Sequence, residues 1–155
     1  MQACAATVFG SDDLAGRTVG VVGAGKVGGR LIAHLSHLGA RVVAVDPSPS
    51  ASADVLHAAP GTQFVASVDD LLARELDVLS PNALGGLLTA EFAARLSVPI
   101  VCGGANNQLA DDAVADLLAA RGVLYAPDFM VNCGGVIQVA AELTGGDLDQ
   151  AREQT

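Results

Sequence analysis

Short runs of small and β-branched apolar residues alternate along this chain with longer stretches in which apolar positions recur three or four residues apart. Thr18–Val22 is an unbroken small apolar run, the pattern of a strand buried on both faces of a parallel sheet. From Val27 to Leu38 the spacing turns helical, with Leu31, Leu35 and Leu38 on one side and Gly39 as a stop. Arg41–Val45 reads as the next strand, and residues 63–66, 77–79, 99–102 and 122–126 as four more. Helices between them open on N-caps: Ser67 with Asp70 three residues on, Thr89, and Asp111 or Asp112. A last helix is expected over residues 136–143, whereas the Pro/Ser-rich residues 48–52 read as a loop. Six strands joined by helical crossovers predict right-handed βαβ units: a single α/β domain, a doubly wound parallel sheet in three αβα layers.

The residues able to do chemistry fall just after the strands, where open α/β sheets bind ligands. They are Gly23 to Gly28, Asp46 with Pro47, Ser80 to Gly86, Gly103 to Gln108, and the segment from Pro127 through Asn132 to Gly135. In parallel strands all of these lie on one edge of the sheet.

Composition narrows what that edge can bind. At 155 residues the chain is sized for one domain, residues 1–155, with 1–15 as an entering helix and connector. It is 51% hydrophobic and 16% charged, too apolar for disorder. Eight Lys and Arg face 17 Asp and Glu, a formal net charge of -9, which argues against a nucleic acid or an anionic membrane as partner. An anionic ligand must then be held locally, by backbone amides or a single side chain. Lys26 is the one lysine. Cys4, Cys102 and Cys133 are far apart and form no CxxC pair, so neither a disulfide framework nor a metal site is expected, and a reduced, cytoplasmic setting fits. The first ten residues lack a basic n-region, and no apolar run approaches the ~20 residues a bilayer requires.

Gly23-Ala24-Gly25-Lys26-Val27-Gly28 fits GxGxxG between a strand and a helix. Gly23 suits the tight turn, Gly25 a close backbone approach to a pyrophosphate, and Gly28 close packing of helix on strand. Asp46 ends the next strand near the ~20-residue offset of the acid that binds a ribose diol. Its charge would repel a 2′-phosphate, and Pro47 follows where an NADP reader would carry Arg, so NAD is the expected cofactor. Lys26 either approaches the pyrophosphate or is an exposed first-turn lysine. Asn106, Asn107 and Asn132 either bond the nicotinamide half and the substrate or cap helices and complete turns. His34 and His37 read as surface residues of the first helix, and His57 has no evident partner.

A more particular likeness lies in Leu14-x-Gly16-Arg17-Thr18-Val19, the glycine loop, Val45-Asp46, Asp77-Val78-x-x-Pro81-x-Ala83-Leu84-Gly85, Gly104-Ala105-Asn106-Asn107-Gln108-Leu109 and Tyr125-Ala126-Pro127-Asp128-Phe129-x-x-Asn132-x-Gly134-Gly135-Val136-Ile137. With these the chain resembles the glutamate/leucine/phenylalanine/valine dehydrogenases, most of all the leucine, valine and phenylalanine branch. The resemblance implies a Rossmann-type NAD-binding domain of an enzyme that reversibly deaminates a branched-chain or aromatic L-amino acid to a 2-oxo acid and ammonia, with hydride passing to NAD. It implies that Gly23, Ala24, Gly25, Lys26, Val27 and Gly28 cradle the pyrophosphate. Asp46 with Pro47 would hold the adenosine ribose, Pro81, Asn82 and Ala83 would line the groove, Ala105, Asn106 and Asn107 would meet the nicotinamide half, and Asn132 would reach the substrate. Lys26, Asn82, Gly104 and Cys133 depart from the family pattern, which often carries Asn, Cys, Ser and Ala there.

In that family the substrate-binding and catalytic lysines belong to a separate N-terminal domain. The resemblance therefore implies that this chain lacks that domain and the C-terminal return helices, and that, apart from the Asn132 contact, the amino acid is bound through the missing catalytic domain. Alone it is expected to bind NAD without deaminating, and an exposed docking face would favour homo-oligomers. The competing expectation is a stand-alone, non-catalytic dinucleotide-binding or NAD(H)-sensing module.

Overall fold

A computed structural model of the chain describes residues 1–132. The expected helix over residues 136–143, Gly134, Gly135 and Cys133 lie outside the described residues. Within them the elements run α1 (Gln2–Phe9), β1 (Thr18–Val22), α2 (Lys26–His37), β2 (Arg41–Val45), α3 (Pro49–Ala58), β3 (Gln63–Phe64), α4 (Val68–Leu72), β4 (Val78–Pro81), α5 (Ala90–Arg95), β5 (Ile100–Val101), α6 (Ala113–Ala120), β6 (Leu124–Tyr125) and α7 (Asp128–Val131). The strands form one parallel sheet in the order β3-β2-β1-β4-β5-β6. This is the doubly wound, Rossmann-type order, and the chain reverses its direction of travel across the sheet between β1 and β4.

Alternate residues of each strand feed two cores, because successive side chains point to opposite faces. Val19, Val21, Val42, Ala44, Val78 and Ile100 pack against Ala5 of α1, Ile32 and Leu35 of α2 and Val55 of α3. Val22, Val43, Val45, Leu79 and Val101 pack against Leu71 of α4, Ala93 of α5 and Val114 and Leu118 of α6. Helices thus cover both faces, and strands buried on both sides are what the continuous apolar runs encode. Each fully buried Val or Leu contributes roughly 1.5–3 kcal/mol.

Several boundaries follow from side chains that leave the sheet to cap something else. Asp77 stands outside β4, which runs to Pro81 instead of ending at 79: its carboxylate accepts the Thr18 amide at 2.8 Å and pairs with Arg17 at 3.1 Å. Arg17 also lies 3.9 Å over the Phe9 ring, tying the connector after α1 to the sheet. α2 ends in a Schellman turn, Gly39 at φ 76 and Ala40 N–H reaching the Leu35 carbonyl at 3.0 Å. Ser67 and Thr89 cap α4 and α5, accepting the Asp70 and Phe92 amides. At α6 the capping side chain is Asp111, which accepts Ala113 N–H at 2.9 Å, while Asp112 makes no such bond.

Residues 48–52 are not a loop. Ser48 is the N-cap of α3 and Pro49 its first helical residue, a position where the missing N–H has no intrahelical partner to lose. β3, β5 and β6 form only two-residue ladders inside the longer runs expected there.

Candidate functional site

The glycine loop crosses from β1 into α2 at the carboxyl edge, beside the reversal between β1 and β4. Gly23 has φ 93, a left-handed conformation, and a methyl on it would stand 2.8 Å from the Ala83 nitrogen. A methyl on Gly28 would lie 1.9 Å from the Gly23 carbonyl oxygen. Both positions are therefore closed to a side chain by the protein's own backbone. Gly25 differs: it has φ -66, and a methyl on it meets no heavy atom within 4 Å among the described residues. Nothing in the described fold requires a glycine there. Gly25 is also the N-cap of α2, where no described side chain caps the free amides, unlike α3, α4 and α5 with their Ser or Thr caps, and where the first turn carries no acid, unlike α4 and α5. A bare helix N-terminus behind an open glycine is a cradle for an anion. Lys26 and Val27 are exposed at its rim.

Asp46 directly follows β2, beside this loop. One carboxylate oxygen accepts Ala24 N–H at 2.6 Å and the other accepts Ser48 N–H at 2.8 Å. The half-buried acid holds the loop while each oxygen keeps a lone pair for a further donor. Pro47 is exposed. A cavity of about 440 Å³ opens against Gly25, Lys26, Arg30, Ser50 and Asp54. A larger one, about 720 Å³, lies at the opposite, amino edge beside Thr18, Arg41 and Gln63, away from the glycine loop.

The loops after β4, β5 and β6 complete the edge. Asn82 donates its side-chain amide to Ser80 and accepts Gly104 N–H at 2.9 Å. A methyl on Gly104 would lie 2.9 Å from the Asn82 Oδ1, 3.1 Å from Val27 and 3.8 Å from the Asn132 Oδ1, so these four residues converge on one point. The Pro81 carbonyl accepts Ala105 N–H at 3.0 Å. Asn132, at the end of α7, donates to Asn106 Oδ1 at 2.8 Å and to the Ala105 carbonyl at 3.3 Å. Asn107 has φ 50, its amide donating to the Asp128 carboxylate and its carbonyl accepting Gly86 N–H. Burial, and then the charge of Asp128, pushes the neighbouring Tyr125 hydroxyl above its ordinary pKa.

The expected residues thus gather in two connected groups: Gly23 to Gly28 with Asp46, and Pro81 to Ala83 with Ala105, Asn106 and Asn132, joined where Gly23 meets Ala83 and Val27 meets Gly104. Three residues inside the expected segments have roles that the sequence did not assign to them individually. Ser80 is fully buried and accepts from Asn82, Gln108 is 1% exposed and bonds the loop after β5, and Asp128 anchors Asn107. The available signals were a polar residue closing an apolar strand, an amide directly before Leu109, and an acid at the first position of a helix. Among the described residues, no group of three or more His, Cys, Asp or Glu is placed to hold a metal ion, and no helix is long and apolar enough to cross a membrane.

Comparison with known proteins places this edge in a family. The glutamate/leucine/phenylalanine/valine dehydrogenase model matches residues 50–150. The chain belongs to that family. A second model, the NAD binding domain of D-isomer specific 2-hydroxyacid dehydrogenases, matches residues 3–84, the stretch with the glycine loop and Asp46, and supports NAD as the cofactor. Valine dehydrogenase of Streptomyces albus is 46% identical over 98% of this chain and 42% of its own length. Leucine dehydrogenase of Thermoactinomyces intermedius is 38% identical over 99% of the chain and 42% of its own length. The crystal structure of L-tryptophan dehydrogenase from Nostoc punctiforme superimposes with a TM-score of 0.92 at 32% identity, over 99% of this chain and 46% of that one. The chain thus spans less than half the length of these relatives.

Proposed function

We propose that this chain holds NAD along the carboxyl edge of its sheet, as the cofactor-binding part of an amino-acid dehydrogenase. Gly25 carries the reading. It is a glycine with open space around it, at an uncapped helix N-terminus, and a pyrophosphate approaching the backbone explains both features. Gly23 and Gly28 shape that cradle, Asp46 offers its remaining lone pairs to the adenosine ribose, and Lys26 lies at the phosphate rim. Pro81, Asn82 and Ala83 form the middle of the groove. Ala105, Asn106 and Asn107 face the nicotinamide half, and Asn132, bonded to Asn106, reaches toward the amino acid. Bound NAD supplies the hydride acceptor; these residues hold and orient it.

The substrate class is a branched-chain or aromatic L-amino acid, in keeping with the valine, leucine and tryptophan dehydrogenases to which the chain is similar. The lone lysine stands exposed on the first turn of α2, at the pyrophosphate end, so no lysine of these 155 residues serves the nicotinamide end, and on this reading a separate catalytic domain supplies the lysine chemistry of deamination. A cytoplasmic, oligomeric enzyme goes with this reading.

Titration with NADH and NADPH, followed by nicotinamide fluorescence, tests it. NADH should saturate the chain at millimolar concentration or below, with NADPH weaker by about tenfold through repulsion at Asp46. Tighter binding of NADPH would remove the role given to Asp46. Amino-acid-dependent NADH formation by the chain alone would refute the division of labour. NADH binding confined to a chain with no dehydrogenase partner segment would favour a sensing module.

A further inference from the structure

Gln108 is a buried amide whose polarity the core does not explain. It is 1% exposed, and both hydrogens of its Nε2 are used on one loop: one goes to the Gly103 carbonyl at 2.6 Å and the other to the Ala105 carbonyl at 2.9 Å. Its Oε1 is buried with no hydrogen-bond partner among the described residues. A methionine would fill much the same volume with no amide oxygen of its own, but it would strip the Gly103 carbonyl of its donor and the Ala105 carbonyl of one of its two, so the amide is explained by the loop it holds and not by packing. Its side-chain donors serve neither a helix end nor a strand ladder.

The two carbonyls it joins flank Gly104, where Val27, Asn82 and Asn132 converge. The Ala105 carbonyl is shared: it receives Gln108 Nε2 from the interior and Asn132 Nδ2 from the site. Asn132 in turn donates to Asn106 Oδ1. From Gln108 to the amide expected to meet the substrate there is thus one peptide group. The main chain of Gln108 is fixed independently, its carbonyl accepting Leu88 N–H at 3.0 Å, so the side chain works from a rigid base.

We propose that Gln108 is a positioning residue: its amide clamps the turn 103–105 from beneath, setting the direction of the Ala105 carbonyl and with it the Asn106–Asn132 pair at the nicotinamide end of the groove. This rests on the dinucleotide reading above. It predicts a division along the ligand, because the glycine loop and Asp46 belong to the other group of residues. Loss of the clamp should weaken recognition of the nicotinamide half and leave the adenosine and pyrophosphate half intact.

The test compares NADH with ADP-ribose, which lacks the nicotinamide, on the 155-residue chain and on Gln108→Met, which keeps side-chain length and removes both donors. NADH affinity should fall by about tenfold and its bound fluorescence enhancement should shrink, while ADP-ribose affinity stays within about twofold. Equal losses for both ligands would make Gln108 a purely structural residue, and unchanged NADH binding would show the loop is set without it; either overturns the proposal. A second measurement needs no variant. In ¹⁵N NMR of the unaltered chain, the Gln108 side-chain amide protons should exchange slowly and shift with NADH but not with ADP-ribose. Fast exchange, or the same response to both ligands, would also overturn it. Failure of the unaltered chain to bind either ligand would instead strike the dinucleotide reading itself, and the clamp's proposed purpose with it.

Discussion

The Asp46 carboxylate receives the Ala24 amide at 2.6 Å, so the acid at the end of β2 braces the glycine loop that follows β1. Its other oxygen receives the Ser48 amide at the start of α3. One side chain therefore fixes both turns between which an adenosine ribose would sit. Asp46→Ala leaves two backbone donors without their acceptor. The chain should lose about 1–2 kcal/mol of stability, and NADH affinity should fall by at least about tenfold. Asp46→Asn keeps one acceptor oxygen and should fall between. Thermal unfolding beside NADH titration checks both effects, and an Ala variant unchanged in either would contradict the brace.

Gly25 and Gly28 separate fold from ligand. In Gly28→Ala the new methyl meets the Gly23 carbonyl at 1.9 Å, backbone against backbone, and the loop must open. That variant should be destabilised by about 2–3 kcal/mol and lose NADH binding. Gly25→Ala places its methyl in open space, so the unfolding midpoint should scarcely move while NADH affinity drops by about tenfold or more. A Gly25→Ala chain that binds NADH normally would show that no pyrophosphate approaches there.

Asn82 and Gly104, the positions where the resemblance leads one to expect Cys and Ser, touch each other. The Asn82 Oδ1 accepts Gly104 N–H and occupies the place of a Gly104 side chain, and its amide is held by Ser80. Gly104→Ser should cost about 1–2 kcal/mol with Asn82 present and measurably less beside Asn82→Cys. A double-mutant cycle by denaturant unfolding measures the coupling; strict additivity would mean the two departures are unrelated.

Burial pushes the Cys102 thiol above its ordinary pKa, with the N-terminal amine the main opposing influence. A thiol that stays protonated longer when folded than when unfolded destabilises the fold as pH rises: above the unfolded thiol's pKa the unfolded chain sheds a proton that the folded chain keeps. Stability should therefore hold below the ordinary thiol range and decline above it, and the decline should be shallower in Cys102→Ala. Thermal melts across alkaline pH measure the difference in slope.

The strand succession was legible because strands buried on both faces need continuous apolar runs, as in Val19 to Val22 and Val42 to Val45. Parallel pairing then carried Gly23, Asp46, Asn82 and Ala105 to one edge without further information. Local chemistry misled at Pro49, where a residue that reads as a loop signal is preorganised for the first turn of a helix. The Asp46 brace was hidden because it depends on β1 and β2 lying side by side, and Gln108 because hydropathy cannot show a buried amide turned back on its own loop. Asn132 was singled out by the motif around it, whereas its bond to Asn106 joins residues 26 apart that only the β5–β6 pairing brings together.

The central claim is that NAD lies along the carboxyl edge with its pyrophosphate at the start of α2. A ¹H–¹⁵N correlation map recorded while NADH is added tests it most directly. The amides of Gly23 to Gly28, Asp46, Asn82, Ala83 and Ala105 to Asn107 should shift together with one saturation curve, while the amino edge beside Arg41 and Arg74 stays still. Shifts concentrated at that amino edge, or none at the glycine loop, would contradict it.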